Sequence, residues 1–345
     1  MKRVGNLYPL ICTPGALLAA FHRASQRKKS HRAQFEFSRN LGTNLAKLEQ
    51  ELTDGSYQPR ACNRFWVTEG PKPRLIEAPA FRDLVVQHAA YAVLAPVFER
   101  HYIHTSFACR TGKGTHQAAD WLQSAIRRAP RTSWVLHVDV RKFFYSIDRE
   151  VLQGLLARVI KCPAMLSLLA QFAYRDEPAG VPIGNLMSQT FANVYLNSLD
   201  QFCKRTLKAA DYGRYMDDSI MIAPDLATAQ DWLARIRQHL ALLGMEISHY
   251  ALQPVKRGAN FVGFRTWASG RFIRPHVISA LRTDARRGRL EGVISRLGHA
   301  RRTCSFKSLM NHLETRHHDL YRQLPKSFTS VHHRANGPAG LARGQ

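Results

Sequence analysis

Three acidic residues stand where chemistry is easiest to do. Asp139 closes the apolar run Trp134 to Val138, and Asp217-Asp218 lie between two β-patterned runs, Tyr212 to Tyr215 and Ser219 to Ile222. Adjacent carboxylates beside apolar strands repel each other and are costly to desolvate, so they favour a cation. Mg²⁺ suits such a place because it takes hard oxygen ligands, usually one or two carboxylates plus substrate phosphates. Two such ions about 3.5–4 Å apart stabilise both the attacking and the leaving oxygen of a nucleotidyl transfer. The competing reading is a tight turn whose Asp-Asp pair merely meets turn geometry. For a bare Asp-Asp pair that simpler reading is preferred; the surrounding motifs reverse it.

The balance of charge names a partner class. In 345 residues there are 50 Lys+Arg against 25 Asp+Glu, a net +25 at pH 7. Such an excess in a folded chain points to a polyanion, nucleic acid foremost, with a basic solvated face as the alternative. Hydrophobic residues make up 45%, and 21 Gly and 16 Pro are ordinary usage, so collagen-like and wholly disordered chains are excluded. The length suggests about two domains. Cys12, Cys62, Cys109, Cys162, Cys203 and Cys304 form no C-x-x-C pair, which supports neither a zinc module nor a disulfide scaffold. Reduced thiols and a cytoplasmic location are expected. The run Leu7 to Phe21 is broken by Pro9, Thr13, Pro14 and Gly15, a poor signal-peptide core. Ala89 to Phe98 is too short to span a bilayer, so no membrane partner is expected.

The carboxylates need elements to hold them. A basic cluster (Arg23, Arg27, Lys28, Lys29, Arg32) precedes a helical pattern from Leu41 to Leu52 and a turn at Asp54-Gly55. Phe65 to Val67 reads as a short strand and Glu69 to Pro73 as a loop. Helical periodicity returns over Phe81 to Phe98 and Thr115 to Arg128. After Asp139 come two helical stretches, a rigid Gly180 to Gly184 loop and a long helix from Ser188 to about Leu207. A helix from Leu226 to Leu243 ends at Gly244, a C-terminal cap. Strands are expected at Glu246 to Ser248 and Asn260 to Trp267. From Leu281 onward 13 Lys+Arg face 4 Asp+Glu in a helical region, then a Gly/Pro-containing tail. Mixed strands and helices without a βαβα rhythm define an α+β fold. His88 and His116 read as satisfied helix or loop residues; His317-His318 and His332-His333 read as surface charge at low pH.

Tyr215-Met216-Asp217-Asp218 between two strands resembles the catalytic hairpin of reverse transcriptases, and Asp139 followed by Phe144 resembles their first catalytic motif. Ile183-Gly184-Asn185-Leu186-Met187-Ser188-Gln189 narrows the likeness. Most reverse transcriptases have Gln-Gly and Ser-Pro at its ends; Ile183 and Gln189 instead resemble the reverse transcriptases of diversity-generating retroelements. Gln87-His88, Ala108 to His116, Phe191 to Tyr195, Leu52 to Tyr57 and Ile247-Ser248-His249 continue the resemblance over about residues 5–275.

The resemblance implies a right-hand polymerase: residues 1–60 as a basic N-terminal extension with the first helices, 61–275 as interleaved fingers and palm with an antiparallel sheet, and 276–326 as a short basic helical thumb; the composition of 327–345 points to a disordered tail. It implies catalytic Asp139, Asp217 and Asp218, and two Mg²⁺ ions (Mn²⁺ as a substitute) on Asp139, Val140 and Asp217. It implies contacts to incoming deoxynucleotides from Lys72, Arg74, Phe144, Ile183, Gly184 and Gln189. Arg74 suits bidentate phosphate contact better than Lys72; an ordinary basic loop is the competing reading, preferred only without the downstream motifs. Phe144 matches the residue that blocks a ribose 2′-OH; a core aromatic beside Phe143 and Tyr145 is the other reading. Phe261-Val262-Gly263 matches the primer grip, or is simply an apolar strand.

The implied partners are a template RNA, primer and cDNA, dNTPs and the accessory variability determinant protein, a small basic helical oligomer. The implied outcome is cDNA with errors concentrated at template adenines, used to diversify a target gene. Ile183 offers a physical basis, since a branched apolar side chain cannot make the hydrogen bonds of a Gln, and losing one such contact costs about 1–3 kcal/mol of discrimination. Three features depart from the pattern. Ala251 stands where many relatives carry a Lys, with Lys256 a loose substitute for the general acid. The stretch after Leu281 matches weakly. No RNase H or zinc endonuclease pattern is evident, which weakens a mobile group II intron assignment. The rival functions are another bacterial retroelement or defence-linked reverse transcriptase of ordinary fidelity, and a catalytically silent RNA-binding protein.

Overall fold

The computed structural model describes residues 2–26, 32–69 and 72–330. Arg27, Lys28 and Lys29 of the basic cluster, Gly70-Pro71, His332-His333 and the tail from 331 lie outside the described residues. Helices α1 (Pro14–Ser25), α2 (Arg32–Arg39) and α3 (Leu41–Thr53) open the chain. Thr13 caps α1 by accepting the Ala16 N–H, with Pro14 at the first helical position where no N–H is needed. Strands β1 (Asn63–Glu69) and β2 (Lys72–Ala78) then form an antiparallel two-stranded sheet. Lys72-Pro73-Arg74, expected in a loop, opens β2 instead: Thr68 faces Pro73 and Val67 faces Arg74. Proline is tolerated there because a two-stranded sheet leaves outward-facing N–H positions free of ladder bonds.

Helix α4 (Phe81–Glu99) is apolar on all sides and correspondingly central, with Val85, Val86, Ala89, Ala90 and Leu94 buried. It packs against α1 and, further on, α9. Helix α5 (Thr115–Arg128) buries one face, Ala118, Leu122, Ala125 and Ile126. Strand β3 (Trp134–Val140) is followed by α6 (Phe143–Ser146), α7 (Arg149–Ala157), α8 (Pro163–Ala173) and α9 (Leu186–Gln201). Asn185 caps α9 through the Met187 N–H, so the helix starts two residues before the expected Ser188; beyond Gln201 a π turn, Phe202–Thr206, leads to Leu207.

Strands β4 (Tyr212–Tyr215) and β5 (Asp218–Ala223), helix α10 (Leu226–Ala241) and strand β6 (Ile247–Pro254) complete the central unit. The resulting sheet is antiparallel, in the order β4-β5-β3-β6. The expected strand Glu246 to Ser248 is thus far longer; its exposed His249 and Tyr250 on an edge strand hide it from hydropathy patterning. The expected strand Asn260 to Trp267 is two strands, β7 (Ala259–Phe261) and β8 (Phe264–Thr266), joined by a turn in which Val262 (φ 45°) and Gly263 (φ 87°) are left-handed. Strand β9 (Arg271–Ile273) pairs with β8. Helices α11 (Pro275–Arg286), α12 (Leu290–Ala300), α13 (Ser305–Arg316) and α14 (His318–Arg322) close the fold.

Strand alternation divides the core. Leu136, Val138, Val140 and Met221 face one large cluster shared with α4, α7, α8 and α9. Leu7, Ile11, Leu17, Leu48, Leu52 and Tyr57 belong to that same cluster, and Val4 exchanges backbone hydrogen bonds with Val159 and Lys161. The described part of the first 60 residues is therefore built into the core. Val135, Ile220 and Ile222 face the other way, against α5 and Phe261. The C-terminal helices have their own apolar cluster, which includes Phe328. Residues 327–330, placed by the sequence in the tail, are helical, because burying Phe328 anchors them.

Candidate active site

The register of the central sheet assembles the acidic residues. Asp139 faces Asp218 and His137 faces Ile220 across β3 and β5, so His137, Asp139 and Asp218 lie on the face that carries Val135, Ile220 and Ile222. Asp217 sits in the two-residue β4–β5 turn beside Met216, whose φ of 58° is left-handed. The Val140 N–H donates to the Asp217 carbonyl at 3.3 Å, bringing those two together. Ser248 on β6 donates to the Asp139 carboxylate and to its carbonyl. His137 Nε2 bonds the Asp218 carboxylate. Burial pushes the Asp217 carboxyl up to about 6, and repulsion from Asp139 and Asp218 adds to it, against the pull of its own backbone N–H and, more weakly, of Arg74.

Among the described residues no three His, Cys, Asp or Glu side chains already converge as a metal cage. The donor chemistry nonetheless fits a hard divalent cation. Asp139 and Asp217 crowd negative charge into a partly dry place, and a Mg²⁺ completed by substrate phosphates needs only one or two protein carboxylates. Asp218 is engaged sideways by His137.

Arg214 supports the turn from below. It is fully buried, binds both oxygens of buried Asp200 at 2.7 Å each, and donates to the Met216 carbonyl at 2.8 Å. Gly213 lets the strand pass close to Trp121, whose ring would lie 2.5 Å from an added Cβ.

The expected nucleotide-contacting residues cluster around β2. Arg74 acts electrostatically on Asp217, and Lys72 opens the strand opposite Glu69. At the other end, the Glu77 N–H donates to the Ile183 carbonyl at 2.6 Å. Gly184 (φ 105°) lies against β2, where a Cβ would come 2.7 Å from Ile76 Cγ2. Phe144 is half-buried beside Phe143, ring centroids 5.4 Å apart, so its core-aromatic reading holds in part. Its carbonyl accepts the Val181 N–H at 2.9 Å. Ile183 and Gly184 thus lie against the strand of Arg74, which acts on Asp217, and Phe144 is joined to the same loop through Val181, while Gln189 is exposed on the first turns of α9. Val262-Gly263 forms the β7–β8 turn, and buried Phe261 meets the His137 ring edge-on at 6.4 Å.

The sequence did not single out His137, Arg214 or Glu77, and it named Ser248 only within the Ile247-Ser248-His249 likeness, with no role. His137 carried a usable signal, two residues before Asp139 on a strand and hence on its face. Arg214, Asp200 and Glu77 carried none, since a charged residue's burial is not written locally. Lys256 is corrected by the register. Pro254 faces Trp134 whereas His249 faces Asp139, so Lys256 lies beyond the far end of β3, about 16 Å or more from the carboxylates at 3.3 Å per residue. Ala251 faces His137.

A fold of mixed helix and sheet with paired acidic residues on a β-hairpin defines the class. The reverse transcriptase (RNA-dependent DNA polymerase) family profile matches residues 69–266, more than half of the chain, and the chain belongs to that family. It is 28% identical over 169 residues to the group II intron-encoded protein LtrA of Lactococcus lactis subsp. cremoris, covering 46% of this chain and 28% of that one. It is 26% identical over 251 residues to the protein YkfC of Escherichia coli (strain K12), covering 67% and 66%. A solved structure of telomerase from Candida albicans, in complex with a fragment of telomeric RNA, matches with a TM-score of 0.49 at 13% identity, covering 77% of this chain and 55% of that one. The chain thus spans between about a quarter and two thirds of the curated relatives' length. No described helix is long and apolar enough to cross a membrane.

Proposed function

We propose that the chain is an RNA-directed DNA polymerase that adds deoxynucleotides to a primer 3′-OH on an RNA template. The observation that carries this reading is the placement of Asp139 beside half-buried Asp217, on which Arg74 acts as the opposing cation. In this reading Asp139, Asp217 and the backbone at Val140 hold two Mg²⁺ ions, and Asp218, held by His137, is the supporting acid. The ions, when bound, activate the primer hydroxyl and neutralise charge on the leaving pyrophosphate. Arg74 and Lys72 take the triphosphate, and Arg74 forms the bidentate contacts. Phe144 stacks beneath the sugar and excludes a 2′-OH, Ile183 and Gly184 border the new base pair, and Gln189 lies at its edge. Phe261, Val262 and Gly263 hold the primer end. The central sheet with α7–α10 is the palm, β1–β2 and the helices around it are the fingers, and α11–α14 are a basic thumb over about residues 276–326.

The finer reading is a diversity-generating enzyme, working with template-repeat RNA and the small basic accessory protein in the cytoplasm. It rests on Ile183 and Gln189 at the ends of the motif that caps α9. Primer extension on a defined RNA with Mg²⁺ and four dNTPs, sequenced by template base, tests both levels. cDNA from the wild type and none above about 0.1% of that rate from Asp217→Asn supports the polymerase; equal rates refute the metal assignment. Errors concentrated at adenines, reduced in Ile183→Gln, support the finer reading. Uniformly low error instead indicates a retroelement enzyme of ordinary fidelity.

A further inference from the structure

The nucleotide pocket of the polymerase reading is assembled from segments far apart in sequence, and one buried ion pair lies behind all of them. Glu77, 3% exposed, faces Arg175, 7% exposed, with Oε2 and Nε 2.7 Å apart. That contact is out of line for a hydrogen bond, so the attraction is Coulombic. Glu77 sits three residues after Arg74, and its own N–H holds the Ile183 carbonyl. The Arg175 guanidinium lies over the Tyr145 ring, 5.3 Å from its centre. Tyr145 adjoins Phe144, and the backbone of both presses against Gly180, where a Cβ would meet the Phe144 carbonyl oxygen at 2.9 Å. Arg64 adds a second, half-exposed cation 3.3 Å from Glu77 Oε1.

Buried ion pairs contribute little net stability, because desolvating two charges offsets their attraction; an apolar pair of equal volume often does as well. Their directional demand is different: they admit one spacing of the elements that carry them. Here those elements are the strand of Arg74, the loop of Ile183-Gly184 and the helix of Phe144. We propose that Glu77 and Arg175 are a positioning pair that sets Ile183-Gly184 and Phe144 against the incoming nucleotide and so governs the choice between matched and mismatched dNTPs. This rests on the polymerase reading.

The test uses the full chain as wild type, Glu77→Gln, and the double variant Glu77→Gln with Arg175→Met, which leaves no unpaired buried charge if the single variant folds poorly. Single-dNTP primer extension gives kcat and KM for matched and mismatched nucleotides, and thermal unfolding is recorded beside it. The expected result is a matched-to-mismatched ratio of kcat/KM lowered about tenfold in the double variant, carried mainly by KM, with its melting temperature close to wild type. A ratio equal to wild type in the folded double variant overturns the proposal. The wild type is the control for the reading beneath it: no incorporation by that chain overturns both.

Discussion

Two hairpins face the candidate site and are held in opposite ways. The β4–β5 hairpin, which presents Asp217 and Asp218, lies inside a four-stranded sheet, and buried Arg214 ties its turn to Asp200, Asn193 and Ser106. The β1–β2 hairpin, which presents Arg74, is a sheet of its own with Phe65 and Trp66 exposed, Trp66 at 67%. Its described anchors are near its base, Glu77 to Ile183 and to Arg175. In the proposed reading, the group that holds metal against its own repulsion needs a stiff, over-determined support, and the cation that meets a charged, diffusing ligand needs access and reach. Local stability follows the burial of each, so the outer hairpin opens at lower free energy than the inner one.

The contrast can be broken most severely at Arg214. Arg214→Met leaves Asp200 buried and unpaired, and a loss of about 3–5 kcal/mol is expected by urea unfolding. Adding Asp200→Asn should restore most of it; no recovery in the double variant would mean that shape rather than charge holds the turn.

A smaller effect, of opposite sign, is expected at Asp217. Its carboxyl titrates near 6 when folded and at 3.8 ordinarily, so the ionised form costs stability fully above pH 6. That cost shrinks as pH falls and is gone below the ordinary value. In metal-free buffer Asp217→Asn should therefore be more stable than wild type by about 1–3 kcal/mol at pH 7.5, with the gap closing toward pH 4. A gap independent of pH would refute burial as its cause. Added Mg²⁺ should narrow the gap by stabilising the wild type.

The smallest change in stability belongs to the outer hairpin. Arg74→Ala should move unfolding by less than about 0.5 kcal/mol. The same variant should raise KM for dNTPs about tenfold or more, the worth of a charge-assisted contact. A large loss of stability there would erase the distinction between the two hairpins.

Much of the site was legible because its signals are local. Thr115 to Arg128 is helical with both ends as periodicity predicts, and the β4–β5 hairpin lies where the two β-patterned runs put it, except that Asp218 opens the second strand instead of lying between the two. Asp139, Asp217 and Asp218 stand out because a carboxylate at the end of an apolar strand is anomalous within a few residues. Strand β6 and the split between β7 and β8 were not legible, since one has exposed polar positions and the other depends on two left-handed residues within an apolar run.

Composition and short-range pattern determine the three strands β3, β4 and β5 around the acidic residues, most of the helices and the acidic positions themselves, because each is settled by forces acting within a turn or a strand pair. Tertiary structure alone decides that Arg214 finds Asp200, that Glu77 finds Arg175 and that His137 finds Asp218. A charge such as that of Arg214 or Glu77 is stable in the interior only beside its counter-charge, and that partner, 98 residues away for Glu77, is chosen by packing rather than by sequence distance.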